Sequence, residues 1–503
     1  NEPKGRTGFA HLFEHLMFGG SQHNDQSWFA PIQGLGASDV NGNTWYDWTR
    51  YFETVPRGAL ERTLFYESDR MGYLLPAVTQ TKLDTQRGVV QNEKRGDDNQ
   101  PGGLLQYSIQ HTLFPQGNPY HHTVIGSMQD LDSASLDTVK DWFRTHYAPN
   151  NAVLVLSGDI TVDEARPMVE KYFGAIPRGP QPKPVEATVP TLPAPVTQVF
   201  KDEVAATTVA RMWAVPGETD PDRPALDLAA SILGGLDSSR LDDELVRGKQ
   251  TAVQVTAYNE SLAHGGEFDV EATVKPGVDP ALVGKQLDAV VADFIAHGPT
   301  EAELQRAKMS FIGGDIRSLE SVGGQAQALA SGVIYADDPG YFKKELQAWA
   351  ALTPAQVQAA AKKWLSRPVF AYTLEPGDRG AYAESALAGD TASGSAGAAS
   401  APPPAASETN AADIDRSQLP PVGEIAGLDF PKVEHATLAN GIPVEFARRA
   451  GVPIVRVAVA FDAGNAADPR DKLGTQAFML SLLDQGTDKY DATQIAQREE
   501  TLG

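Results

Sequence analysis

Two histidines four residues apart, His11 and His15, flank Glu14 in the run Phe9-Ala10-His11-Leu12-Phe13-Glu14-His15. Four residues make about one helical turn, so both imidazoles leave the same face and can approach a single cation. A metal that activates water for attack on a carbonyl needs three protein ligands and one open position. It also needs a nearby carboxylate to take the proton, and Glu14 has the type and the place for that role. The sequence contains no cysteine, so thiolate sites and disulfides are excluded and a metal must be held by histidine and carboxylate. A bare pair of histidines at this spacing is ordinarily a solvated helix face; the glutamate between them lifts it above that reading.

The element that must carry these residues is legible. Phe9, Leu12, Phe13, Leu16 and Met17 fall at helical spacing and Gly19-Gly20 supplies a stop, so residues 8 to 18 are predicted helical. His11, Glu14, His15 and Phe18 then share the opposite face. Residues 58 to 75 and 80 to 95 read as further helices, and the apolar run Ala152 to Leu156, closed by Ser157-Gly158-Asp159, reads as a buried strand. Prolines become frequent from Pro177 to Pro195. Beyond them, Val209 to Val215 and residues 251 to 273 read as strands, with helices at 224 to 234 and near 280 to 312.

The chain has 503 residues, 41% of them hydrophobic, enough for several cores. The expected organisation is a metal-binding domain over 1–190, a homologous α+β domain over 191–378, an Ala/Gly/Ser/Pro-rich linker over 379–428, and the start of a third domain over 429–503. In that last stretch Ala439-Asn440-Gly441-Ile442-Pro443 reads as a turn before a strand and Val455 to Phe461 alternates as another strand. Residues 1 to 21 laid against 467 to 487 match Pro3 with Pro469, Gly8 with Gly474, Leu16 with Leu482 and Gly20 with Gly486. In that register His11, Glu14 and His15 fall on Ala477, Leu480 and Ser481, so the later copy keeps a helix scaffold without metal chemistry.

A formal net charge of −23, spread along the chain, argues against a nucleic-acid partner and is read as solubility rather than substrate selection. No apolar stretch approaches the roughly 20 residues that span a bilayer. His111 and His121-His122 lack a carboxylate at ligand spacing and are read as packing or surface histidines. Trp45, Tyr46 and Trp48 alternate with polar residues, which fits either a peptide-binding edge or half of a sheet face.

The order His-x-x-Glu-His, within Gly5-Arg6-Thr7-Gly8-Phe9-Ala10-His11-Leu12-Phe13-Glu14-His15-Leu16-Met17-Phe18, resembles the pitrilysin or insulinase (M16, inverzincin) family of zinc peptidases, chiefly its bacterial two-half members. That family takes its third ligand from a glutamate on a later helix, and Gln86-Arg87-Gly88-Val89-Val90-Gln91-Asn92-Glu93-Lys94-Arg95 is similar to that segment, which implies Glu93. From residue pattern alone, Gln86, Val90 and Glu93 lie on one stripe, where an inward Glu93 would be a buried charge needing a cation; the charged run that follows it otherwise reads as a solvated helix end. The family's preceding second glutamate is replaced here by Gln86, which bears on how the ligands are oriented. Asp39-Val40-Asn41-Gly42-Asn43-Thr44-Trp45 resembles the segment whose asparagine contacts substrate, followed by a strand that pairs with extended peptide, which implies Asn41. Tyr147-Ala148-Pro149-Asn150-Asn151, Ser157-Gly158-Asp159 and Ser238-Ser239-Arg240-Leu241 continue the resemblance.

The resemblance implies repeated α+β domains, each a mostly antiparallel sheet packed with helices, and one Zn²⁺ per chain. It implies cleavage of peptides or small unfolded proteins with Glu14 activating the water, and a bacterial periplasmic or secreted location. It also implies that a leading strand, most of the third domain and a C-terminal half are missing from this stretch. The competing expectation is a non-catalytic peptide-binding or assembly subunit of the same fold.

Overall fold

The computed structural model describes residues 2, 5–380, 414–424, 427, 430–449 and 451–503. In chain order the first stretch contains α1 (Phe9–Met17), α2 (Phe29–Gln33), β1 (Ser38–Thr44), β2 (Thr49–Thr54), α3 (Leu60–Gly72), α4 (Gln80–Asn99), α5 (Leu105–Leu113), α6 (Met128–Ser133), α7 (Leu136–His146) and α8 (Val162–Phe173). Then come β3 (Val196–Asp202), β4 (Thr208–Val215), α9 (Arg223–Ala230), β5 (Ala252–Ser261), β6 (Gly266–Val274), α10 (Pro280–His297), α11 (Glu301–Ser318), α12 (Val322–Ala336), α13 (Tyr341–Ala351), α14 (Pro354–Leu365) and β7 (Phe370–Pro376). The remainder holds the hairpin β8 (Val433–Thr437) and β9 (Pro443–Ala447), then α15 (Thr475–Leu480) and α16 (Ala492–Leu502). The fold is α+β with mostly antiparallel sheet, as the sequence implied.

Two compact units form. One gathers Asn1–Ala187, Val322–Pro339 and Arg379–Arg449; the other gathers Thr188–Ser321, Gly340–Asp378 and Ala450–Gly503. In the first, the apolar stripe of α1 (Phe9, Leu12, Phe13, Leu16, Met17) is buried against Leu83 and Val90 of α4 and Val139, Trp142 and Phe143 of α7. Burial of one such side chain stabilises by about 1.5–3 kcal/mol, so this contact fixes the α1–α4 pairing. A second cluster joins Trp28, Ile32, Leu64, Phe65, Tyr66 and Tyr172. In the second unit a five-stranded sheet runs β3-β7-β4-β6-β5, antiparallel except for the β3–β7 pair. The face bearing Val209, Trp213, Phe268 and Val270 packs against α9, α10 and α14.

Two predicted strands are absent. Residues 152–156 and 455–461 run without strand pairing, and Val153 and Leu154 stay about half exposed while Val455, Val457, Val459 and Phe461 are 70–87% exposed. The side-chain pattern of a strand is present, but a strand also needs a neighbouring backbone, and none of the described residues supplies one. The predicted helix at 224–234 ends as α9 at Ala230 and continues as a wider turn over Ser231–Gly235. Most of the predicted linker, residues 381–413, lies outside the described residues.

The sequence repeat has a structural counterpart at the start of each helix. Gly8 (φ 86°) precedes α1 and Gly474 (φ 90°) precedes α15 in the left-handed region. Glu2 accepts from the Gly8 and Ala10 amides, and Asp468, at the corresponding position, accepts from those of Gly474 and Gln476. A Cβ on Gly8 would lie 2.4 Å from the Ile125 carbonyl oxygen. We therefore expect Gly8→Ala to lower stability by about 2 kcal/mol or more. Gly88→Ala, in open space within α4, raises it by about 0.5–1 kcal/mol. Urea denaturation of the two variants beside the parent chain reads both.

Candidate metal centre

The α1–α4 contact brings the three candidate ligands together. One donor atom each from His11, His15 and Glu93 lies within 4.8 Å of the others. The Glu93 Oε2 is 3.8 Å from His11 Nε2 and 3.4 Å from His15 Nε2. Around a tetrahedral zinc with bonds near 2.1 Å, neighbouring donors stand about 3.4 Å apart, so two nitrogens and one carboxylate oxygen fit a divalent metal. The imidazoles meet edge to face with centroids 4.8 Å apart. They are the only such group among the described residues.

Each residue arrives by a separate local cause. His11 and His15 sit on the polar side of α1, whose apolar side is locked into the core. Val90, one turn before Glu93, is fully buried, which aims that turn of α4 at α1. Glu93 itself is 43% exposed, so it borders an open cleft rather than being the buried charge that the stripe suggested. The charged run after it is solvated only in part: Arg95 and Asp97 are exposed, but Lys94 is fully buried, with its ammonium bonded to the Tyr107 hydroxyl and 3.3 Å from Asp98. Tyr107 donates in turn to Asp98 at 2.6 Å, which fastens the end of α4.

Glu14 is 7% exposed and accepts from the Thr44 hydroxyl at 2.7 Å. Burial raises its pKa, and the Thr44 bond opposes that. Glu93 is held below the usual carboxylate range, chiefly by its hydrogen bond with His15. Burial lowers His11 to about 4, against the pull of Glu93 and with a smaller push from His15. The Nδ1 of His11 is buried without a partner among the described residues, so nothing there competes for a proton on that ring.

These groups open on a cleft of about 880 Å³ within the first unit, lined also by Asn41, Asn43, Trp45, Tyr46 and Gln86. Asn41 lies inside β1, not ahead of the strand, and its Oδ1 accepts from the Gly42 amide at 2.9 Å. Gly42 is required by close approach, since a Cβ there would stand 2.9 Å from the Phe18 ring. Trp45 to Trp48 form the β1–β2 turn, closed by Trp45 N–H to Trp48 O at 2.9 Å, so the alternating aromatics are not a sheet face. Trp45 and Tyr46 line the cleft, and Trp48 Nε1 donates to the Tyr335 hydroxyl of α12 at 3.0 Å. His111 stacks on His121, whose Nδ1 bonds the Phe114 carbonyl oxygen, and His122 bonds Thr123.

Thr44 and Tyr335 escaped the sequence reading. Thr44 stood inside a quoted segment, but only the fold shows which hydroxyl reaches Glu14. Tyr335 lies 287 positions from Trp48, and no local pattern links them.

The sequence profile of the Peptidase M16 inactive domain matches residues 133–311, a stretch that contains none of His11, Glu14, His15 or Glu93. The zinc protease PqqE of Helicobacter pylori is 29% identical over 344 residues, covering 68% of this chain and 77% of that protein. A protease crystal structure from Helicobacter pylori superposes with a TM-score of 0.68 at 27% identity, over 75% of this chain and 91% of that one. The periplasmic protease PqqL of Escherichia coli shares the fold, with a TM-score of 0.62 at 18% identity, over 90% of this chain and 52% of that one.

The lowered His11 pKa has a pH consequence for metal-free protein. Unfolded, the ring returns to about 6.5, so between 6.5 and 4 the unfolded chain binds more protons. Stability is therefore full above pH 6.5 and falls as pH drops toward 4. We expect this group to remove about 2 kcal/mol between pH 7 and pH 5, read as urea midpoints of chelator-treated protein. That component is expected to vanish in His11→Gln, and an unchanged pH slope in the variant would remove His11 as its source.

Proposed function

This chain belongs to the M16 peptidase family, and from that premise we propose that it is a zinc-dependent metalloendopeptidase hydrolysing peptide bonds in peptides or small unfolded proteins. The observation that carries the reading is the convergence of His11, His15 and Glu93 beside Glu14 at one wall of an open cleft. The three would hold one zinc per chain, and the chemistry it would supply there is that of a Lewis acid toward water and the scissile carbonyl. Glu14 takes the proton from the attacking water and passes it to the departing amine. A carboxylate whose pKa is raised by burial suits both halves of that transfer, and the Thr44 hydroxyl keeps it aimed.

Among the described residues β1 pairs only with β2. An extended substrate segment adds along the free side of β1 through main-chain hydrogen bonds, with Asn41 as a side-chain contact. Gln86, in the cleft on the same helix as Glu93, orients the ligand set without supplying a charge. The likeness to half of PqqL supports a partner region, a further half of the same protein, and a periplasmic location. No helix among the described residues is long and apolar enough to cross a membrane.

A second reading is a peptide-binding or assembly subunit without turnover. It draws on the inactive-domain match, which falls outside the metal-binding residues. Elemental analysis with cleavage of a quenched peptide library separates the two. We expect one zinc per chain in the parent and in Glu14→Gln, with cleavage reduced by about 10²–10⁴ in the variant. His15→Ala is expected to lose the zinc. A parent chain that binds no zinc favours the binding subunit, and full activity in zinc-loaded Glu14→Gln removes that residue from the base role.

A further inference from the structure

Glu14 stands at the end of a line of hydroxyl groups. The Thr44 hydroxyl donates to its Oε2 at 2.7 Å, and the Thr44 and Thr49 hydroxyls lie 3.1 Å apart. Thr49 is hydrogen-bonded to the Tyr147 hydroxyl, which lies 3.1 Å from that of Tyr51. Strand register sets most of this line. Thr44 pairs with Thr49 and Gly42 with Tyr51 across β1 and β2, and because side chains alternate along a strand, all four stand on one face of the hairpin. Gly42 leaves the space that Tyr51 takes, since a Cβ there would stand 3.0 Å from that ring. Tyr147 follows the last turn of α7 and packs on Phe13 and Phe143, with ring centroids 4.6 and 5.5 Å away.

Counting hydrogens gives the line a direction. An ionised carboxylate only accepts, and each hydroxyl has one hydrogen to donate. Thr44 gives its own to Glu14, so Thr49 donates to Thr44, Tyr147 to Thr49 and Tyr51 to Tyr147. Burial pushes Tyr147 up to about 12 and Tyr51 well above its ordinary value, so both phenols keep the hydrogen that the line requires. The Arg70 guanidinium, 4.4 Å from the centre of the Tyr51 ring, fixes the far end. Hydrogen bonds that all point one way polarise and strengthen one another.

We propose that Thr49, Tyr147 and Tyr51 are positioning residues, which through Thr44 hold the Glu14 carboxylate in the orientation from which it takes a proton from the attacking water. The inference rests on the reading of Glu14 as the base. Thr44 lines the cleft and the other three do not, so they act on the reaction without touching substrate.

The test uses the full chain with Thr49→Val, Thr49→Ser, Tyr147→Phe and the Thr49→Val/Tyr147→Phe pair, each checked for fold by circular dichroism and for zinc by elemental analysis; should Thr49→Val not fold, Thr49→Ala replaces it. On quenched peptides Thr49→Val is expected to lose about tenfold in kcat, part of the roughly 10²-fold that a misplaced group can cost, with KM and zinc content unchanged. Thr49→Ser, which keeps the hydroxyl, is expected to recover most of that loss. Adding Tyr147→Phe to Thr49→Val is expected to cost nothing more, because Tyr147 reaches Glu14 through Thr49. A zinc-loaded Thr49→Val with the parental kcat overturns the proposal, as does a Thr49→Ser no better than Thr49→Val, or a pair whose losses multiply. A second readout needs no turnover: in urea denaturation of the metal-free protein, Thr44→Val and Tyr147→Phe are expected to shift the midpoint non-additively, and additively in the Thr49→Val background. A parent that binds zinc and cleaves nothing counts against the peptidase reading; the urea cycle then decides the line by itself, and additivity in both backgrounds overturns it.

Discussion

The packing of α1 against α4 is the constraint from which the rest of the candidate metal centre follows. Five apolar side chains on one face of a nine-residue helix have nowhere to go except onto Leu83, Val90 and the aromatic residues of α7. Once that face is buried, the helical period leaves His11, Glu14 and His15 no choice of direction. The same contact fixes the rotation of α4 and so brings Glu93 opposite the histidines. The hydrophobic contact thus supplies the geometry, and the polar residues add little free energy of their own to it.

Burial is graded across the candidate centre and, together with hydrogen bonding, sets the direction in which each group is shifted. His11, deepest among the candidate ligands, is shifted toward its neutral form, the form in which an imidazole can bind a metal. Glu93, at the open side, is kept charged by its histidine neighbour. Glu14, buried yet hydrogen-bonded to Thr44, sits between those limits with a raised pKa. Burial thus lowers His11 and raises Glu14, while the hydrogen bond with His15 lowers Glu93, all before any ion is considered.

What the sequence disclosed follows from which forces are local. The period of Phe9, Leu12, Phe13, Leu16 and Met17 announced α1, because amphipathic helices write their burial into spacing. Glu93 was reachable only through family resemblance, since a lone glutamate in a charged run has no local signature. Lys94, read as part of a solvated end, is buried because Tyr107 and Asp98 await it, and neither announces that from its position in sequence. Residues 152–156 and 455–461 carry the side-chain pattern of strands, but pairing is a property of two segments and one alone does not make a sheet. Thr44 and Tyr335 were missed for the same reason: their roles are defined by partners brought near only by the fold.

The first compact unit is not contiguous: besides residues up to Ala187 it takes in α12 and the segment carrying Arg416. During synthesis α1 and α4 emerge early and can pair at once, because their contact is short in sequence. Tyr335, which accepts from Trp48 in the turn beside the cleft, and Arg416, which donates to Asp69, follow only after hundreds of further residues. At about 5–20 residues per second, a nascent chain spends tens of seconds with α1 and α4 made and their surroundings unfinished. A candidate site built in this order is completed late, and its assembly is timed by chain length rather than by the folding rate of the helices that bear His11, His15 and Glu93.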